Sequence, residues 1–64
     1  MQYKMTVDIN SKLRYAHFLI KFCNMSLSDA REFIKKNRTF SEYTVDLKRV
    51  VEILKYCDKY HLLI

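Results

Sequence analysis

The sequence predicts an α+β domain, a two-layer sandwich in the order strand-helix-helix-strand-helix-strand with three helices on one face of a small sheet. Three observations predict it. Tyr3, Met5, Val7 and Ile9 alternate with Lys4, Thr6 and Asp8, the period of a strand with one buried face. Three later segments carry apolar residues at helical spacing. The chain of 64 residues, half of them apolar, has material for a single domain spanning 1–64, and single-stripe helices then need a sheet face to cover.

The first strand covers residues 3–9. Asn10-Ser11 offers an N-cap, and a helix follows from Lys12 to Cys23. This first helix has two apolar arcs: Leu13, Ala16, Ile20 and Cys23 on one side, Tyr15, Phe18, Leu19 and Phe22 on the other. Only a narrow strip with Arg14, His17 and Lys21 is polar, so the helix is expected to be covered on both sides. Asn24-Met25 breaks the pattern, and Ser26 with Asp29 resembles a capping box that opens a second helix. Leu27, Ala30, Phe33 and Ile34 form its stripe, Arg31 and Lys35 lie beside it, and Lys36-Asn37 ends it, with Asn37 expected in the left-handed cap conformation. Residues 39–43 read as a short strand. From Val45 to Tyr60 a third helix presents Leu47, Val50, Val51, Leu54 and Cys57 on one side and Lys48, Glu52, Lys55 and Lys59 on the other. His61 to Ile64 suits a terminal strand beside the first.

Gly and Pro are both absent. That excludes Walker, Rossmann, nucleophile-elbow and EF-hand loops, each of which needs glycine where backbone meets a phosphate or takes positive φ. Candidate chemistry elsewhere is thin. Ser11, Ser26 and Ser28 are explained as helix caps, and Asp29 and Asp46 as helix-start acids. Cys57 and His61 are spaced to share one helical turn, but His17 and Cys23, six positions apart, cannot face one metal. The expectation is therefore no catalytic residue, no metal and no cofactor. No stretch approaches a membrane span and the N-terminus lacks a leader pattern, which predicts a cytoplasmic protein with no membrane partner and with Cys23 and Cys57 as reduced core thiols.

Asn24-Met25-Ser26-Leu27-Ser28-Asp29-Ala30-Arg31-Glu32-Phe33-Ile34 resembles the helix-turn-helix of the C-terminal domain of the bacterial ribosomal stalk protein. That family writes Gly-Leu-Gly-Leu, then Lys-Glu-Ala-Lys and two apolar residues. Asn24 and Ser26 stand in place of the glycines, and no stalk dimerisation segment is found. The resemblance implies a βααβαβ fold, shared with the adaptor of the Clp protease, and a functional surface on the helical hairpin, where the stalk domain meets translation GTPases.

Twelve basic and seven acidic side chains give a net charge of +5. All of that excess lies in residues 11–38, because residues 1–10 and 39–64 are each neutral. The hairpin is thus the electropositive part of the chain, and acidic partners are favoured. Lys12, Arg14, Lys21, Arg31, Lys35 and Arg38, together with the rings of Tyr15, Phe18 and Phe22, form the expected partner-binding set. Two readings of the rings stay open: a contact face, completed by a homodimer or bound partner, or a packed layer between the hairpin and the third helix. The expected function is a non-enzymatic interaction module, an adaptor or small inhibitor of the kind a phage or mobile element encodes, with an acidic protein as partner. The alternatives are RNA or DNA binding through the same basic strip and a self-associating structural protein. The strand-helix-helix-strand order is shared with KH domains, but their G-x-x-G clamp is replaced by Asn24-Met25-Ser26-Leu27.

Overall fold

Alternation along the first strand decides the layout: Met5, Val7 and Ile9 are at most 2% exposed, while Lys4 on the other face is open to solvent. A computed structural model describes residues 1–63 and gives β1 (Tyr3–Asp8), α1 (Lys12–Cys23), α2 (Leu27–Lys36), β2 (Phe40–Thr44), α3 (Leu47–Leu54) and β3 (Lys59–Leu63). This is the expected α+β order. The antiparallel sheet runs β2-β1-β3, with Val7 opposite Phe40 and Tyr60, and Met5 opposite Glu42 and Leu62. Directly opposed residues share a face. Tyr43, Lys4 and Leu63, and likewise Ser41, Thr6 and His61, therefore line the side away from the helices. Ile64 lies outside the described residues.

The helix starts are set by side chains named in the sequence. Ser11 accepts the Arg14 N–H at 3.3 Å, Ser26 accepts the Asp29 N–H at 3.1 Å, and Asp46 accepts those of Lys48 and Arg49 at 3.0 and 3.3 Å. Each satisfies a donor that the first turn leaves unpaired. Asn24 takes the left-handed conformation, φ 57° and ψ 30°, and its N–H closes α1 onto the Leu19 carbonyl. This turn needs positive φ, and asparagine tolerates it without glycine. Asn37 does not: it is extended, with φ −131° and ψ 108°, and ends α2 by sending both its backbone N–H and its side-chain amide to the Phe33 carbonyl, at 2.8 and 3.2 Å. The side-chain amide supplies the second bond, and the chain bends at residues 38 and 39 before entering β2.

Two other expectations are corrected. The third helix stops at Leu54, six residues before Tyr60. The Asp58 N–H donates to the Asp8 carbonyl at 2.8 Å and its carboxylate accepts the Asn10 N–H at 2.7 Å. These bonds hold the chain against the end of β1 in a turn over residues 55–58, and β3 begins at Lys59. Cys57 and His61 consequently do not share a helix. Within α3 the inward line is Val50 and Ile53, at most 1% exposed, whereas Leu47 and Val51 are about half exposed, at 53% and 48%.

The second correction concerns α1, whose arc of Leu13, Ala16, Ile20 and Cys23 is covered only in part: Ala16 is buried and Cys23 half-buried, while its other two residues are open. Tyr15, Phe18 and Leu19 are at most 3% exposed, but Leu13 is 82% and Ile20 41% exposed. Rings bury the larger area, so the aromatic arc turns inward. Phe18 lies at the centre, edge-on to Phe40 at 4.9 Å between centroids and 5.4 Å from Phe22, with Tyr15 and Tyr56 at its flanks. Cys23 and Cys57 are free thiols packed at the margin of this core, and burial pushes both thiols up.

Candidate interaction surface

The exposed arc of α1 and the stripe of α2 meet in an open groove of about 700 Å³. Leu13 and Ala16 come from α1 and Leu27 and Ile34 from α2, while Lys12, Arg31 and Lys35 stand along the rim. Helical spacing explains the rim: Arg31 and Lys35 are one turn apart, flanking Leu27 and Ile34 on the same side of α2. Among the described residues neither Lys12 nor Arg31 pairs with an acidic side chain. Lys35 reaches Glu32 at 3.7 Å, with both side chains more than half exposed. Such a pair is worth little and is readily exchanged for a better partner.

The other expected contact residues are used inside the fold. Tyr15 and Phe18 belong to the core and are corrected as contact residues; burial pushes the Tyr15 phenol up to about 12, and its hydroxyl donates to the Asn37 carbonyl at 3.3 Å. Phe22 is half-buried against Phe18 and Tyr56. Arg14 donates to the Tyr56 carbonyl at 2.7 Å and pairs with Asp58 at 3.4 Å. Lys21 donates to the Tyr56 hydroxyl at 3.1 Å and sits over the Phe22 and Tyr56 rings. Arg38 pairs with Asp8 and donates to the Asn10 side chain at 3.2 Å. These three cations brace the chain reversals at 8–11, 37–39 and 55–58. The structure therefore gathers Lys12, Arg31 and Lys35 in one place and separates them from Arg14, Lys21 and Arg38.

Sequence reasoning missed Leu13, Leu27 and Arg49. The signal for Leu13 was present in the choice between its arc and the aromatic one. Arg49 carries no such signal. It forks onto both Glu42 oxygens at 2.8 and 2.9 Å and donates to the Phe22 carbonyl at 3.0 Å, joining β2, α3 and the end of α1. This two-pronged, half-buried pair is the strong kind of ion pair.

A second, shallower depression of about 470 Å³ lies on the outer side of α3, between Leu47, Lys48, Val51, Glu52 and Lys55. Among the described residues no three His, Cys, Asp or Glu side chains gather as metal ligands would, and no helix is long and apolar enough to cross a membrane. Comparison of the chain with protein families, with curated proteins and with solved structures gives no match.

Proposed function

We propose that the protein is a non-enzymatic interaction module, an adaptor or small inhibitor, that receives an acidic protein segment in the groove between α1 and α2. One observation carries this reading: the groove has an apolar floor and a rim of three cations with no acid among its lining residues. Leu13, 82% exposed, and Leu27, 53% exposed, give a partner apolar area to bury, while Lys12, Arg31 and Lys35 select for negative charge and steer its approach. Two copies of the groove would oppose cation to cation, which disfavours self-association through this face.

The test is capture of partners from lysate, with and without nuclease, followed by affinity measurement on the partner found. Reversal of the rim by Arg31→Glu with Lys35→Glu is expected to weaken binding at least tenfold and to leave the melting temperature nearly unchanged, since both side chains are exposed. Lys48→Glu with Lys55→Glu, the same charge change on α3 and its C-cap, is the matched control. Equal losses in both pairs, or capture abolished by nuclease with affinity falling by orders of magnitude between about 50 and 200 mM salt, would replace this reading with binding to a polyanion.

A further inference from the structure

The sheet has two outer strands, and only β2 carries a charge turned towards the helical side, since the one charge on β3, Lys59, opposes Asp8 on the other face. On β2, Glu42 points to the helical side and is clamped by Arg49 at 2.8 and 2.9 Å; its neighbours are Ser41 and Tyr43, the latter 62% exposed on the opposite face. A charge turned inward on an edge strand is a recognised obstacle to adding another strand. On β3, Lys59 is followed by Tyr60, His61, Leu62 and Leu63, with no fixed charge among them. Tyr60 is 62% and Leu63 50% exposed. An outer strand with apolar side chains and an unpaired row of backbone groups is a template for pairing.

We infer that β3 pairs with β3 of a second copy of this chain, antiparallel and around a two-fold axis through His61, joining two sheets into one of six strands. The strand is self-complementary in that register. Tyr60 faces Leu62 of the other copy and Lys59 faces Leu63, so no lysine opposes a lysine and every side chain keeps its own face of the sheet. The assembly also closes. The two new outer edges would be the two copies of β2, each guarded by Glu42, so addition stops at two chains.

The magnitude follows from the exposed area. A tyrosine side chain presents about 200 Å² in full, so Tyr60 and Leu63 of both copies together hide roughly 400 Å², well below the ~1,200 Å² of stable interfaces. The dimer is accordingly weak and forms only at high protein concentration. It uses none of the groove residues and stands independently of the hairpin reading.

Sedimentation equilibrium of the full chain from about 10 to 500 μM tests the inference in the concentration range such a small interface allows. The expected result is a mass rising from 7.8 kDa towards twice that value. Leu63→Lys and Tyr60→Lys, both at exposed positions, should hold the mass at one chain, while Ser41→Lys on β2 and Leu13→Lys in the groove should leave the rise intact. Hydrogen exchange on the unaltered chain gives a readout that needs no variant: amide protection within Lys59–Leu63 should increase with concentration and that of Phe40–Thr44 should not. A chain that stays single throughout, or a dimer broken by Ser41→Lys or Leu13→Lys and not by Leu63→Lys, overturns the inference.

Discussion

The two apolar arcs of α1 are similar in size on paper and opposite in fate. Tyr15, Phe18 and Leu19 are sealed in the core, whereas Leu13 and Ile20, on the same helix, face outward. The inward arc carries the rings, and rings meet rings: Phe18 touches Phe40 of β2, and Tyr15 meets Phe33 of α2 edge-on at 6.3 Å. The outward arc faces Leu27 and Ile34 across an open groove. One arc provides the domain's stability. The other stays open to solvent, with Lys12, Arg31 and Lys35 along the groove it borders.

The largest expected effect separates the arcs by stability. Phe18→Ala removes a fully buried ring and should cost about 3–5 kcal/mol, comparable to the whole of roughly 3–5 kcal/mol that a core of this size supplies. The variant should be largely unfolded at room temperature by circular dichroism. Leu13→Ala, at an exposed site, should move the urea midpoint by no more than about 0.5 kcal/mol equivalent. Equal losses in the two variants would mean that the groove is a second core and not a contact surface.

Much of the fold was legible because the relevant signals are local. Ser11 and Ser26 are short polar side chains standing before apolar periods, and each does cap its helix; Asp46, expected as an acid within the start of the third helix, is its cap instead. Alternation in β1 needs no partner to be recognised. The end of α3 was not legible, because the apolar period runs on through Cys57 and no glycine or proline interrupts it. What stops the helix is tertiary: Asp58 bonds to Asp8 and Asn10, fifty and forty-eight positions away. The same kind of distance hid the division of the cations. Arg14, Lys21 and Arg38 look like Lys12 and Arg31 in a list of charges, and only their partners at Tyr56, Asp58 and Asp8 set them apart from the groove cations. The hairpin holds the whole charge excess, but which of its cations are paired inside the fold could not be sorted, and of the rings assigned to it Tyr15 and Phe18 belong to the core and Phe22 packs against it.

An intermediate effect concerns the inward arc alone. The Tyr15 phenol is held protonated in the fold up to about 12, by burial first and with Cys23 adding to it. In the unfolded chain it ionises near pH 10. The folded pKa is the higher one, so this contribution is complete below pH 10 and is lost as pH rises from about 10 to 12. The urea midpoint should fall steeply through that window. Tyr15→Phe keeps the ring and removes the proton, so its midpoint should start lower, for want of the bond to the Asn37 carbonyl, and then fall less. Identical alkaline slopes would show that Tyr15 is not the group responsible.

The smallest effect lies on the third strip of α1, where Arg14 pairs with Asp58. The Asp58 carboxyl is held below its usual range, first by the Asn10 N–H and then by the Arg14 charge. A depressed carboxyl stabilises the fold above its unfolded pKa of about 3.9, and that stabilisation fades as pH falls through the lower folded value. Asp58→Asn retains an acceptor for the Asn10 N–H but loses the charge at every pH. The midpoints of the two proteins should therefore differ by a small constant amount above about pH 5 and converge below about pH 4, as the natural carboxyl is protonated. Because the pair is exposed, about 0.5 M salt should shrink that constant difference as well. A gap that persists at low pH would show that the difference does not arise from the Asp58 charge, leaving Arg14 fixed by the Tyr56 carbonyl and the brace on α1 independent of charge.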